Sequence, residues 1–168
     1  MRPECPMFSR PFDELALGDR FATRGRTITE ADVVAFATLS GDLHPQHVDA
    51  AWAAESPFGE RIAHGMLVLS YAIGLLPLDP ERVVALRRVR DAVFKRPVRF
   101  GDTIHVEGRV ETLDAVDGEV GVVGWQWSVV NQEGRAVARV SVDVLWRRDG
   151  GQAAAAEASE PAFAGVPL

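Results

Sequence analysis

His64-Gly65-Met66-Leu67-Val68-Leu69-Ser70-Tyr71-Ala72-Ile73-Gly74-Leu75-Leu76 is the stretch on which the fold turns. It carries no Asp, Glu, Lys or Arg, and as a helix it is apolar nearly all round. A helix without a polar face has to be enclosed by other parts of the protein. Gly65 and Gly74 weaken such a helix, so they read as points where another group approaches the backbone closely.

What encloses the helix is legible downstream. Ile104, Val106, Gly108 and Val110 alternate with His105, Glu107 and Arg109, the two-residue period of a half-buried strand. After the turn signal Asp117-Gly118, Val123, Trp125, Trp127 and Val129 alternate with Gly124, Gln126 and Ser128. Past Gly134, Ala136, Ala138, Val140, Val142, Val144 and Trp146 alternate with Val137, Arg139, Ser141, Asp143 and Leu145. Residues 82–99 are expected to add a strand or two, with Pro97 at an edge or bulge, and 20–26 a short early strand. Long strands, tight turns and one apolar helix predict an α+β domain, an antiparallel sheet wrapped around a long buried helix.

With 168 residues the chain has the length of one domain. Residues 1–10 hold two prolines and no periodicity and are expected to be a flexible arm; 11–148 are the domain, and the Gly- and Ala-rich 149–168 a flexible tail. A formal charge of −6 argues against nucleic acid as a partner, because phosphate binding needs a basic surface. Cys5 is the single cysteine, so no intrachain disulfide forms, in keeping with a reducing cytoplasm. The N-terminus lacks the apolar core of a secretion signal. The uncharged run Ile62 to Leu78 contains Pro77 and falls short of the ~20 residues of a membrane span. A cytoplasmic protein is expected.

A helix start is written at Thr29, with Asp32 three residues on and Ile28 and Val33 placed to staple it. Gly41 is placed to end that helix in a left-handed turn. Asp42 therefore follows a helix C-terminus, on backbone that Pro45 stiffens. Asp49 is a cap for a short helix through Ala54, ended by Ser56-Pro57 and Phe58-Gly59. Asp42, His44, His47 and the His64-Gly65 helix start form the candidate constellation. As metal ligands, His44 and His47 with Asp42 and Asp49 lack a clear third and fourth donor, so no metal is expected. His105 falls on the polar phase of its strand. Trp125 and Trp127 share a strand face and, with no basic cluster beside them, read as core and interface.

Taken together, Leu39-Ser40-Gly41-Asp42, His44-Pro45-Gln46-His47, Phe58-Gly59 and Ile62-Ala63-His64-Gly65-Met66-Leu67 resemble the signature of the MaoC-like family, which includes the (R)-specific enoyl-CoA hydratases of hot-dog fold. Pro97-Val98-Arg99-Phe100-Gly101-Asp102 is similar to the family's second half, and the resemblance spans roughly residues 12–147. It implies a hydratase or dehydratase interconverting 2-enoyl and (R)-3-hydroxyacyl thioesters. It also implies no cofactor beyond the coenzyme A or acyl-carrier thioester, and a homodimer or higher homo-oligomer formed by edge-to-edge sheet pairing. Asp42 and His47 take the acid–base roles and the Gly65 N–H the oxyanion role. His44, Phe58, His64, Met66 and Arg96 are the expected substrate contacts. The family usually has asparagine where this chain has His44.

The chemistry fits those residue types. Hydration needs a base for water, an acid for the α-carbon and donors for the thioester oxygen. A helix N-terminus offers free N–H groups and a favourable dipole, and glycine there lets a group come close. Arg87, Arg88, Arg90, Lys95, Arg96 and Arg99 form either the solvated face of a strand or an electropositive entrance for carrier phosphates. Two other readings stay open. One is a hot-dog acyl thioesterase, against which stands a helix with no Asp or Glu from His64 to Leu76. The other is a non-catalytic acyl-thioester-binding subunit of a heteromeric complex, for which His44 is the motivating departure.

Overall fold

The computed structural model describes residues 6–149. Two short 3-10 turns, Pro6–Ser9 and Phe12–Glu14, precede strands β1 (Arg20–Ala22) and β2 (Arg26–Thr27). Four helices follow: α1 (Glu30–Ser40), α2 (Pro45–Val48), α3 (Ala50–Ala54) and α4 (Gly65–Leu75). Strands β3 (Val83–Phe94), β4 (Thr103–Ala115), β5 (Val120–Val130) and β6 (Ala136–Arg147) complete the order. The sheet is antiparallel in the order β1-β4-β5-β6-β3, with β2 also pairing β4. Leu67, Val68, Leu69 and Ala72 of α4 share one buried cluster with Val106, Val123, Trp127, Val129 and Val140, so the sheet wraps the helix as the sequence predicts.

The alternating residues of β5 and β6 land where their period puts them from Val123 to Val129 and from Ala138 to Val144; before Ala138 a bulge sends Val137 into the core in place of Ala136. Val123 pairs with Val144, Trp125 with Val142, Trp127 with Val140 and Val129 with Ala138, all buried on the helix face. The start of α1 also follows the sequence. Thr29 caps Asp32 N–H while the Asp32 carboxylate accepts from Thr29 N–H, and Ile28 and Val33 are fully buried beside them. Asp32 further accepts hydrogen bonds from Tyr71 of α4 at 2.6 Å and Arg26 at 3.1 Å, which ties α1 to the central helix. Burial opposes ionisation of Asp32, but the bonds from Thr29, Tyr71 and Arg26 outweigh it and hold the carboxyl well below the usual carboxylate range.

Three expectations need correction. Residues 6–10 are not a loose arm: Met7 and Phe8 are each 3% exposed, and Phe8 stacks on Trp125 at 5.7 Å and meets Phe21 edge-on at 5.1 Å. Proline-rich composition gave no periodic signal because the contact comes from two side chains on a single turn. Residues 1–5 and 150–168 lie outside the described residues. Second, α4 is not enclosed on every side: Met66, Ser70 and Gly74 form an exposed stripe at helical spacing, with Met66 60% exposed. Third, a Cβ at Gly74 would meet nothing within 4 Å, so of the two helix glycines only Gly65 marks a close approach.

Candidate active site

Gly41 ends α1 in the left-handed region (φ 76°), its N–H bonded to the Ala37 carbonyl. The chain then reverses, and Asp42 stands exposed beyond the helix. Its carboxylate accepts from His44 N–H at 3.3 Å. The next turn is helical where sequence reading expected a stiffened loop: Pro45 is the first residue of α2, and the His44 Nδ1 caps it by accepting from Gln46 N–H at 3.2 Å. Proline suits that position because its missing N–H would have had no partner there. A four-residue helix carries no periodic pattern, which is why it was not legible.

α2 delivers His47 into the interior, 4% exposed. His47 Nδ1–H donates to the Ile62 carbonyl at 2.7 Å. The acceptor is a carbonyl, so the proton sits on Nδ1 and Nε2 keeps its lone pair. Gln46 Nε2–H donates to that lone pair at 3.1 Å. Burial is the largest influence on this imidazole and pushes its pKa below the ordinary 6.5; the Ile62 hydrogen bond opposes the shift, His64 and His44 reinforce it, and Asp42 opposes it more weakly. His47 is neutral at neutral pH and presents a basic nitrogen.

The segment before α4 completes the enclosure. Ile62 N–H bonds to the Gln46 carbonyl and Ala63 N–H to the Val98 carbonyl, which pins this stretch between α2 and residues 98–99. His64 is 2% exposed and is the residue preceding α4. Its Nε2–H donates to the Asp42 backbone carbonyl at 3.0 Å, and its ring stacks on His47 at 3.8 Å between centroids. His64 thus touches both members of the Asp42–His47 pair. Donor atoms of Asp42, His47 and His64 lie within 4.8 Å of one another, so the third donor that the sequence did not offer a metal is present in space. The same set has the composition of an acid–base cluster.

A pocket of about 470 Å³ opens over this cluster. Asp42, His47, Gly65, Phe58, His64, Met66 and Arg96 all line it, so the structure brings these expected residues together. His44 is not in the lining; it acts on α2 from outside and meets Trp52 edge-on at 5.4 Å. The lining also includes Lys95 of the basic stretch, together with Gln46, Phe94, Val98 and Val137, which sequence reading did not select. Of the basic stretch, Arg88 and Arg90 bond Asp143, and Arg99 bonds Glu60. Lys95 and Arg96 remain at the pocket, with Arg96 Nη1–H also donating to the Ala136 carbonyl at 2.6 Å.

A sheet-wrapped helix with this polar turn at its N-terminus has counterparts. The family model described as MaoC like domain matches residues 14–131. The chain belongs to the MaoC-like family. Protein MaoC of Klebsiella aerogenes is 45% identical over 100 residues, 59% of this chain and 30% of that protein. The (R)-specific enoyl-CoA hydratase of Aeromonas caviae is 40% identical over 83 residues, 49% of this chain and 62% of that protein. The chain therefore spans less than two thirds of the length of these MaoC-like relatives. Among solved structures, the monoamine oxidase regulatory protein from Archaeoglobus has a TM-score of 0.78 at 35% identity, covering 83% of this chain and 95% of that one. The fold is the hot-dog fold of this family.

Proposed function

We propose that the protein is a hydratase or dehydratase interconverting 2-enoyl and (R)-3-hydroxyacyl thioesters. The observation that carries this reading is the pairing, in one pocket, of the neutral His47 Nε2 and the Asp42 carboxylate beside the first N–H groups of α4. First-turn N–H groups have no intrahelical acceptor, so they are available to an oxygen that gains charge. In the hydration direction a water held by Asp42 and His47 adds its oxygen to C3. One water proton passes to the pair, the thioester oxygen takes up enolate charge against the Gly65 N–H, and the pair delivers a proton to C2. Asp42 and His47 end in the protonation state in which they began.

His64 is read as a positioning residue, because its contacts run to the Asp42 carbonyl and the His47 ring. Phe58, Met66 and Val98 offer the acyl chain an apolar wall, and Lys95 and Arg96 supply positive charge where a carrier phosphate would lie. A homodimer is supported by β3, an edge strand whose Leu86, Val89, Val93 and Phe94 are each 45–52% exposed. Among the described residues no helix is long and apolar enough to cross a membrane. No carboxylate lies on α4, which stands against the thioesterase reading.

The test is turnover of crotonyl-CoA and longer 2-enoyl-CoAs, followed by loss of the conjugated-thioester absorbance. Hydration by the wild type and its collapse in Asp42→Asn support the reading. Failure of every chain length, on coenzyme A and on acyl carrier protein, overturns it.

A further inference from the structure

We infer that Phe94 is the residue that decides which substituents the acyl group can carry at its α-carbon. The inference rests on the hydratase reading, and it starts from the backbone of β3. On β6, Val142 and Ala138 both point to the helix face, and their partners on β3 are Val89 and Phe94. Those two positions are five apart, and in a regular strand an odd separation puts side chains on opposite faces. The register explains the exception. Arg90 pairs with Ser141 and Val93 with Arg139, so β3 spends one more residue than β6 between them.

The extra residue is held by a strained backbone. Asp91 has φ 52° and is the one non-glycine residue in the left-handed region among the described residues. Aspartate tolerates that region better than most side chains but at a cost. The bulge flips the phase of the strand and turns Phe94 from the outer face onto the helix.

The ring lands on Gly65. A Cβ at Gly65 would stand 2.7 Å from Phe94 Cζ, 2.8 Å from Cε1 and 2.9 Å from Cε2. A side chain at this position would therefore have to displace the Phe94 ring. A Cβ would be two bonds from the Gly65 amide nitrogen, so the ring edge borders the space in front of that N–H. A thioester oxygen held there places its α-carbon, one bond beyond the carbonyl, against the ring. A hydrogen fits between them; a methyl group competes with the ring for the same volume. Phe94 is half-buried, and the bulge sets the strand face from which its ring reaches Gly65.

The experiment compares kcat/KM for crotonyl-CoA, its 2-methyl analogue tigloyl-CoA and hex-2-enoyl-CoA in the wild type, Phe94→Ala and Phe94→Leu. The tigloyl-to-crotonyl ratio is expected to rise about tenfold or more in Phe94→Ala, the usual worth of one methyl group in a shaped pocket, and by less in Phe94→Leu. The hexenoyl-to-crotonyl ratio should move far less, because C4 and beyond lie past the ring. Crotonyl-CoA turnover by each variant shows that it is folded, and Phe94→Leu decides if the alanine variant fails to fold. An unchanged tigloyl ratio in a variant that still hydrates crotonyl-CoA overturns the inference and leaves the hydratase reading intact. Absence of any straight-chain turnover by the wild type overturns both. As a second readout, Gly65→Ala should lose activity that Phe94→Ala partly restores in the double variant; equal loss with and without the ring contradicts the contact.

Discussion

The two ends of the wrapped sheet are built on opposite principles. At one end Phe8, Phe21, Trp125 and Trp146 pack ring on ring, with centroids 5.1–6.0 Å apart and every side chain nearly or wholly buried. At the other, where Phe94 pairs with Ala138, two buried histidines, an exposed aspartate and a helix N-terminus surround a pocket. The first end gains stability from apolar burial. The second spends apolar burial on His47 and His64 and keeps each in place with a carbonyl acceptor. One end is built from apolar burial, the other from polar groups held in a fixed geometry.

If that division holds, substitutions at the two ends separate stability from turnover. The largest expected effect is Phe8→Ala, which removes the stacking partner of Trp125 and should cost about 3–5 kcal/mol in chemical denaturation, with the specific activity of the folded fraction unchanged. A parallel fall in specific activity would mean that the ends are coupled. His64→Leu keeps the volume filled but strips the donor from the Asp42 carbonyl; stability should fall by about 1–3 kcal/mol and turnover should fall with it. His44→Ala removes the cap of α2 at a cost of about 1 kcal/mol, and His44→Asn, which caps through its own oxygen, should restore both stability and rate.

The smallest effect is on pH. The folded-state pKa of His47 lies below the ordinary 6.5, so above 6.5 neither the folded nor the unfolded protein protonates it. As pH falls below 6.5 the unfolded chain takes up the proton first, and the stability contributed by the neutral, hydrogen-bonded ring is lost progressively down through the lowered folded value. The acid limb of kcat/KM should accordingly fall below pH 6.5, and in His64→Gln it should move up towards that value, since His64 contributes to the depression. An acid limb at or above 6.5 in the wild type would contradict the burial argument.

Much of this was written in local sequence. Val123 to Val129 and Ala138 to Val142 alternate and pair in register, while the phase break at Val137 depends on a bulge; Thr29, Asp32 and Gly41 mark both ends of α1 in the expected geometry. Asp42, His47 and Gly65 were findable because a motif of short spacing brings them together. Features that need a second segment of chain were not legible. The contact of His64 with the Asp42 carbonyl spans 22 residues, and the placement of Phe94 depends on a bulge defined only against β6. The burial of Phe8 depends on Trp125, more than a hundred residues away. The exposed stripe of Met66, Ser70 and Gly74 is visible only once the sheet is seen to cover the other side of α4.

The central claim is that Asp42 and His47 act as one unit on a single water. Comparing Asp42→Asn, His47→Ala and the double variant in crotonyl-CoA hydration tests it most directly. Each single variant should lose about 10²–10⁴-fold in kcat, and the double variant should be no slower than the slower single. Losses that multiply in the double variant, or a single variant that keeps wild-type rate, would contradict the account.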